Sequence, residues 1–177
     1  MRAGVTAMTL PARPNAAVAP SPAEGVLILE DFPPYRLNVL SSIVSQGFAR
    51  LYSERFGISI PQWRVVAVLG QHGGLTSKEI GRRTHMHKTM VSRAVGDLER
   101  QGLVARQPNR ADKREAFLSL TDTGQRTYGE IVPLARDYAA RLTADLSAGD
   151  RAAFDRIVAM LRERSGIVFA AERKEGG

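Results

Sequence analysis

Four cations crowd one short stretch of the chain, Arg106, Arg110, Lys113 and Arg114, with Asp112 set among them. Guanidinium and ammonium groups at this density suit a partner with repeated negative charge, phosphate above all. A carboxylate there would repel phosphate unless it were engaged. Asp112 is therefore expected to bond Arg114 or Arg110 and fix that guanidinium's direction. A second set lies upstream: Lys88, Thr89, Ser92 and Arg93, spaced for one side of a helix. These side chains are short, polar or cationic, so a helix bearing them can approach base edges and hydrogen-bond to them.

Other chemistries lack their residues. There is no cysteine, which removes disulfides, thiolate zinc sites and thiol redox sensing. The three imidazoles are His72, His85 and His87, and the last two fall in a turn, where they serve as polar turn residues or phosphate contacts. No metal site or cofactor is expected. No Ser/His/Asp set or paired-carboxylate site stands out, and "HGGLTSKE" lacks the spacing of a phosphate-binding loop, so an enzyme is not expected. No apolar run reaches the roughly 18 residues of a membrane span. The N-terminus has Arg2 and Arg13 but no continuous apolar core of a secretory signal, so a cytoplasmic location is expected. The formal net charge is +7, and residues 76–115 hold ten Lys or Arg against five Asp or Glu. The basicity is local.

The elements that must position these groups follow from pattern. Residues 1–25 contain Pro11, Pro14, Pro20 and Pro22 among small residues, and read as a flexible tail. Leu37, Leu40, Val44, Phe48, Leu51 and Phe56 approximate helical spacing, with Gly57 as the stop. A second helix follows, with Ser59 as N-cap, Pro61 in its first turn and Gly73-Gly74 as terminator. Thr76-x-x-Glu79 is a capping box opening a short helix to about Arg83. Residues 87–101 form the next helix, stopped by Gly102, with Val91, Ala94, Val95 and Leu98 as its buried side. "LVARQ" and "REAFLSL" are strands flanking the charged tip. Thr121 or Asp122 caps a helix to about Asp145 that Pro133 interrupts. Ser147-x-x-Asp150 opens the last helix, with Phe154, Ile157, Val158 and Leu161 as an apolar stripe.

A capped short helix, a tight turn and an amphipathic second helix form a helix-turn-helix layout, with the second helix suited to the major groove. Alone, that pattern is equally that of an ordinary surface helix. The charged hairpin directly after it favours nucleic acid, because a basic tip fits the negative potential of a narrow minor groove. The fold class expected is mainly α with a small β-wing.

The stretch from "LTSKEIGRRTH" to "SLTDTG" resembles the winged helix-turn-helix of the MarR family. The matching residues are Ser92-Arg93, Leu98-Glu99, Gly102-Leu103-Val104, Asp112-x-Arg114, Leu118-x-Leu120-Thr121 and Gly124. The resemblance extends from about Pro33 to Ser165. It implies a homodimer held by N- and C-terminal helices, binding double-stranded DNA at a pseudo-palindromic operator as a repressor. The implied division is a tail at 1–32, dimerisation helices at 33–60 and 121–165, a DNA-binding lobe at 61–120 and a tail at 166–177. By the same resemblance Lys88, Thr89, Ser92 and Arg93 face the major groove, Arg110, Lys113 and Arg114 are wing contacts, and Thr76 and Ser77 meet a phosphate. A small effector that weakens operator binding is also implied. Arg36, Asn38, Ser42, Trp63 and Arg64 suit an aromatic carboxylate, since guanidinium binds carboxylate in a fork while rings stack. The helices containing them resemble regulators of aromatic-acid catabolism, whose effector is the free acid or its coenzyme A thioester. A non-specific architectural DNA binder is the alternative, and competition with random DNA separates the two.

Overall fold

The computed structural model describes residues 26–108 and 116–175, the last nine as helix backbone alone. It divides into two compact units, Met1–Ile43 and Val44–Gly177, with the division inside the first helix. A short 3-10 turn, Leu29–Asp31, lies within the stretch assigned to the tail and precedes α1 (Pro33–Phe56). Then come α2 (Ile60–His72), β1 (Leu75–Thr76), α3 (Ser77–Thr84) and α4 (Lys88–Arg100). The wing strands are β2 (Val104–Pro108) and β3 (Ala116–Leu120), followed by α5 (Asp122–Leu142) and α6 (Ala148–Glu175). The described residues are thus mainly helical with one small antiparallel sheet. Helix α6 runs past the boundary drawn at residue 165.

Side chains set most helix starts. Ser59 caps α2 in a reciprocal box with Gln62, whose Oε1 accepts from the Ser59 N–H at 2.6 Å. Thr76 and Glu79 form the same box on α3. Thr121 caps α5 by accepting from the Gly124 N–H at 3.0 Å, and Ser147 pairs with Asp150 ahead of α6. Each such cap satisfies backbone donors the helix cannot reach, worth roughly 0.5–2 kcal/mol. Pro133 lies inside α5, which nonetheless continues from Asp122 to Leu142 as one helix. Pro133 and Gly129, whose carbonyl loses its usual donor, are both exposed, so water can satisfy that carbonyl.

The second unit has one core. Tyr52, Ile58, Val65, Val66, Leu69, Ile80, Val91, Val95, Leu98, Leu118 and Ile131 are fully buried in it. Burial of each large aliphatic side chain stabilises by about 1.5–3 kcal/mol. The sheet order is β1-β3-β2, with Leu75 opposite Leu118 and Val104 opposite Leu120. Strand β1 has no counterpart in the sequence reading. Its two residues close the helical lobe onto the wing by pairing with β3.

Candidate nucleic-acid interface

Helix α4 buries Val91, Ala94, Val95 and Leu98 against the core. The spacing i, i+3, i+4, i+7 that turns them inward turns Thr89, Ser92 and Arg93 outward. All three are exposed, as are Lys88 and Arg100, and Gly96 leaves the middle of that side open. A substituted Cβ at Gly96 would meet nothing nearer than the Arg100 Nη1 at 3.8 Å. The outward side of α4 is therefore low near Gly96 and carries the cations Lys88, Arg93 and Arg100.

The turn before α4 is built by two histidines. His85 adopts the left-handed conformation at φ 54°, which reverses the chain out of α3. His87 is the N-cap of α4, its Nδ1 accepting from the Thr89 N–H at 3.4 Å. That bond requires the unprotonated nitrogen. His72 lies in the last turn of α2. Among the described residues no group of three His, Asp or Glu is placed to hold a metal ion.

At the start of α3 the Thr76 hydroxyl donates to the Glu79 Oε2 at 2.9 Å and accepts from the Glu79 N–H at 3.3 Å. The backbone N–H and hydroxyl of Thr76 hold the Glu79 carboxyl below its ordinary pKa. Thr76 is 7% exposed, so its hydroxyl serves the cap. Ser77, beside it, is half-buried. Beyond them opens a groove of about 520 Å³ lined by Ser77, Lys78, Arg82, Met86, Lys88 and Arg106 among others. Four of those six are cations. Lys78 and Arg82 were not singled out from the sequence, although they occupy α3 four residues apart, which places them on one side.

Arg106 is placed by strand register. It pairs with Leu118, which is fully buried, so both side chains leave the same side of the sheet. That side looks at α4. There the Arg106 Nε donates to the Glu99 Oε1 at 2.9 Å and its Nη2 donates to the Glu99 Oε2 at 3.2 Å. The two-pronged bond raises the guanidinium's already high pKa. Arg106 was expected to contribute free cation density, yet its charge is engaged within the protein. Asp97, two residues before Glu99, accepts from the Gln62 Nε2 at 3.4 Å and pairs with Arg100. The wing tip, with Arg110, Asp112, Lys113 and Arg114, lies outside the described residues.

The expected effector residues are distributed over both units. Arg36, Asn38 and Ser42 are exposed on α1 within the first unit. Trp63 and Arg64 are half-buried on α2 within the second. Trp63 belongs to a ring cluster the sequence did not reveal, because its members come from three helices. Its ring centroid lies 5.7 Å from those of Phe48 and Tyr52, and 6.3 Å from that of Tyr128. Tyr138 joins through Phe48 at 5.6 Å, and its hydroxyl donates to the Val44 carbonyl at 3.1 Å. Burial pushes the Tyr52 phenol up to about 12, partly offset by the Arg64 charge.

The sequence profile of the MarR family matches residues 56–115, the segment from the end of α1 to the wing. The uncharacterized HTH-type regulator YwoH of Bacillus subtilis is 32% identical over 111 residues, covering 63% of this chain and 80% of that protein. The HTH-type repressor MdtR, also of B. subtilis, is 31% identical over 123 residues, covering 70% of this chain and 79% of MdtR. A MarR/EmrR family regulator from Acinetobacter sp. ADP1 shares the fold at a TM-score of 0.72 and 21% identity, covering 79% of this chain and 99% of that one. No described helix is long and apolar enough to cross a membrane. A capped α3, an α4 with a polar outer side and the first wing strand thus fall within the matched segment, and the chain belongs to the MarR family of winged helix-turn-helix, DNA-binding transcriptional regulators.

Proposed function

We propose that this regulator is a homodimeric repressor of a pseudo-palindromic operator, released by a small organic effector. The observation that carries the reading is the outward row Thr89, Ser92 and Arg93 on α4, directly opposite a wholly buried aliphatic side. In this reading the row enters the major groove, with Lys88 and the α3 groove at the flanking phosphates. Ser77 makes the phosphate contact at α3, while Thr76 acts mainly as its cap. Arg110, Lys113 and Arg114 reach the minor groove, with Asp112 orienting one of them. Residues 61–120 form the DNA-binding lobe, and the helices on either side form the dimer. The likeness to the repressor MdtR supports repression. Exposed apolar residues support dimerisation within each unit, Leu37, Leu40 and Ile43 in the first and Phe154, Ile157, Val158 and Leu161 in the second.

The effector class proposed is an aromatic carboxylate, free or as its coenzyme A thioester. Support comes from the rings around Trp63 and from Arg64, whose charge acts on Tyr52.

The test is selection of duplexes from a random pool by the purified protein. An inverted repeat with half-sites about one helical turn apart should emerge, and should outcompete random DNA by roughly 10³ or more. Equal affinity for all duplexes would instead identify an architectural binder. Calorimetry with a hydroxycinnamate and with its coenzyme A thioester then decides the effector, and heat from neither rejects this class.

A further inference from the structure

Glu99 sits on the same stripe of α4 as Lys88 and Ser92, eleven and seven residues away, on the edge that faces the wing. An unpaired carboxylate on that edge would oppose a phosphate backbone. Instead both its oxygens are taken by Arg106, which springs from the core-facing side of β2 two residues beyond the buried Val104. Between the two lies the reversal at Gly102, whose φ of 70° a side chain rarely tolerates. The Leu103 N–H closes back on the Leu98 carbonyl at 2.9 Å. The chain therefore doubles back beside the helix that it has just left.

We infer that Glu99 and Arg106 form a positioning strut that sets the wing's angle to the recognition helix, and that Arg106 acts on DNA through this bond rather than by touching a phosphate. Arg106 lies in the middle of β2, so its bond to Glu99 ties that strand to α4. A forked guanidinium–carboxylate bond defines an angle as well as a distance, which a lysine could not do. The inference rests on DNA binding by α4 and the wing.

The two roles predict opposite signs for one substitution. If Arg106 grips phosphate, Glu99→Ala frees it, removes a negative charge and tightens binding. If the pair is a strut, Glu99→Ala weakens binding despite the favourable change in net charge. The probe is a labelled duplex selected by the parent protein, titrated at several salt concentrations with full-length variants. Glu99→Ala and Arg106→Ala should each weaken binding by about 2- to 5-fold, the range of an accessible ion pair. Their double variant should be no weaker than either, and Glu99→Arg with Arg106→Glu should recover most of the loss. Arg106→Ala should leave the salt slope unchanged, whereas loss of a phosphate contact lowers it by about one unit. Tighter binding by Glu99→Ala, or that drop in slope, overturns the proposal. Glu99→Gln, isosteric and unable to pair ionically, replaces the alanine if its melting temperature falls. Amide exchange in the free protein supplies a readout without DNA: Glu99→Gln should accelerate exchange across β2 and β3 by about threefold or more. Unchanged exchange sinks the strut even if the parent protein selects no duplex.

Discussion

At the scale of single residues, the proposed interface separates side chains free to meet DNA from side chains that hold others in place. Arg93 is in the first class, exposed in the middle of α4 and, among the described residues, without a carboxylate bonded to it. Arg93→Ala should cost about 1–3 kcal/mol of discrimination between operator variants while leaving the melting temperature within a degree or two. Competition assays on single-base operator variants measure it. Glu79 is in the second class. Its carboxyl is held below the ordinary range by bonds from Thr76. A lowered pKa means the stabilisation is complete above the ordinary carboxylate range and is lost as pH falls through the folded value. Glu79→Gln should therefore remove part of the decline in melting temperature between about pH 5 and 3, with little change near pH 7, where the amide still accepts from the cap. The sequence made Glu79 legible because its partner is three residues away. It did not make Glu99 legible as a partner of Arg106, because that bond depends on the register of β2 against β3 and on the turn between helix and strand.

At the scale of elements, local rules were sufficient wherever the signal was local. Capping at Ser59, Thr76, Thr121 and Ser147, and the inward side of α4, follow from residues three or four apart. Strand β1 was invisible, since two residues have no periodicity and its existence depends entirely on β3. Pro133 lies within the long helix expected there, and as an exposed proline it can leave its orphaned carbonyl to water. Close approach of elements also selects residue type. A Cβ at Gly124 would lie 2.0 Å from the Leu103 carbonyl oxygen, so the first turn of α5 can cross the base of the wing only without a side chain. Gly124→Ala should destabilise the protein by about 1–3 kcal/mol, read in urea melts, by forcing α5 and β2 apart. Gly124→Ser should be at least as damaging; a neutral result for both would mean the contact is looser than it is here.

At the scale of the whole molecule, one chain leaves much apolar surface to water. In the second unit Phe154 is 56% exposed and Ile157, Val158, Met160 and Leu161 remain exposed along α6, an arrangement a lone soluble subunit seldom keeps. Ile157→Glu combined with Leu161→Glu should shift the sedimentation coefficient from dimer to monomer at micromolar concentration. It should also weaken operator binding by roughly 100-fold or more, because half of the phosphate contacts are then lost from each binding event. The partner's contribution is the part of the architecture that neither pattern nor a single subunit displays.

Thr121 gives the lobe a mechanical pivot. Its N–H donates to the Leu103 carbonyl at 3.1 Å, its hydroxyl donates to the Gly102 carbonyl at 2.7 Å, and the same oxygen accepts from Gly124. One threonine is thus pinned at once to the exit of the reading helix, the root of the finger and the head of the rod that follows. The head of that rod is therefore tied directly to the root of the finger, and Gly124 packs on Leu103 beside the same joint. Thr121→Val would keep the shape of the joint and its backbone bond to Leu103 but remove both hydroxyl bonds, loosening the tie between the rod and the exit of α4.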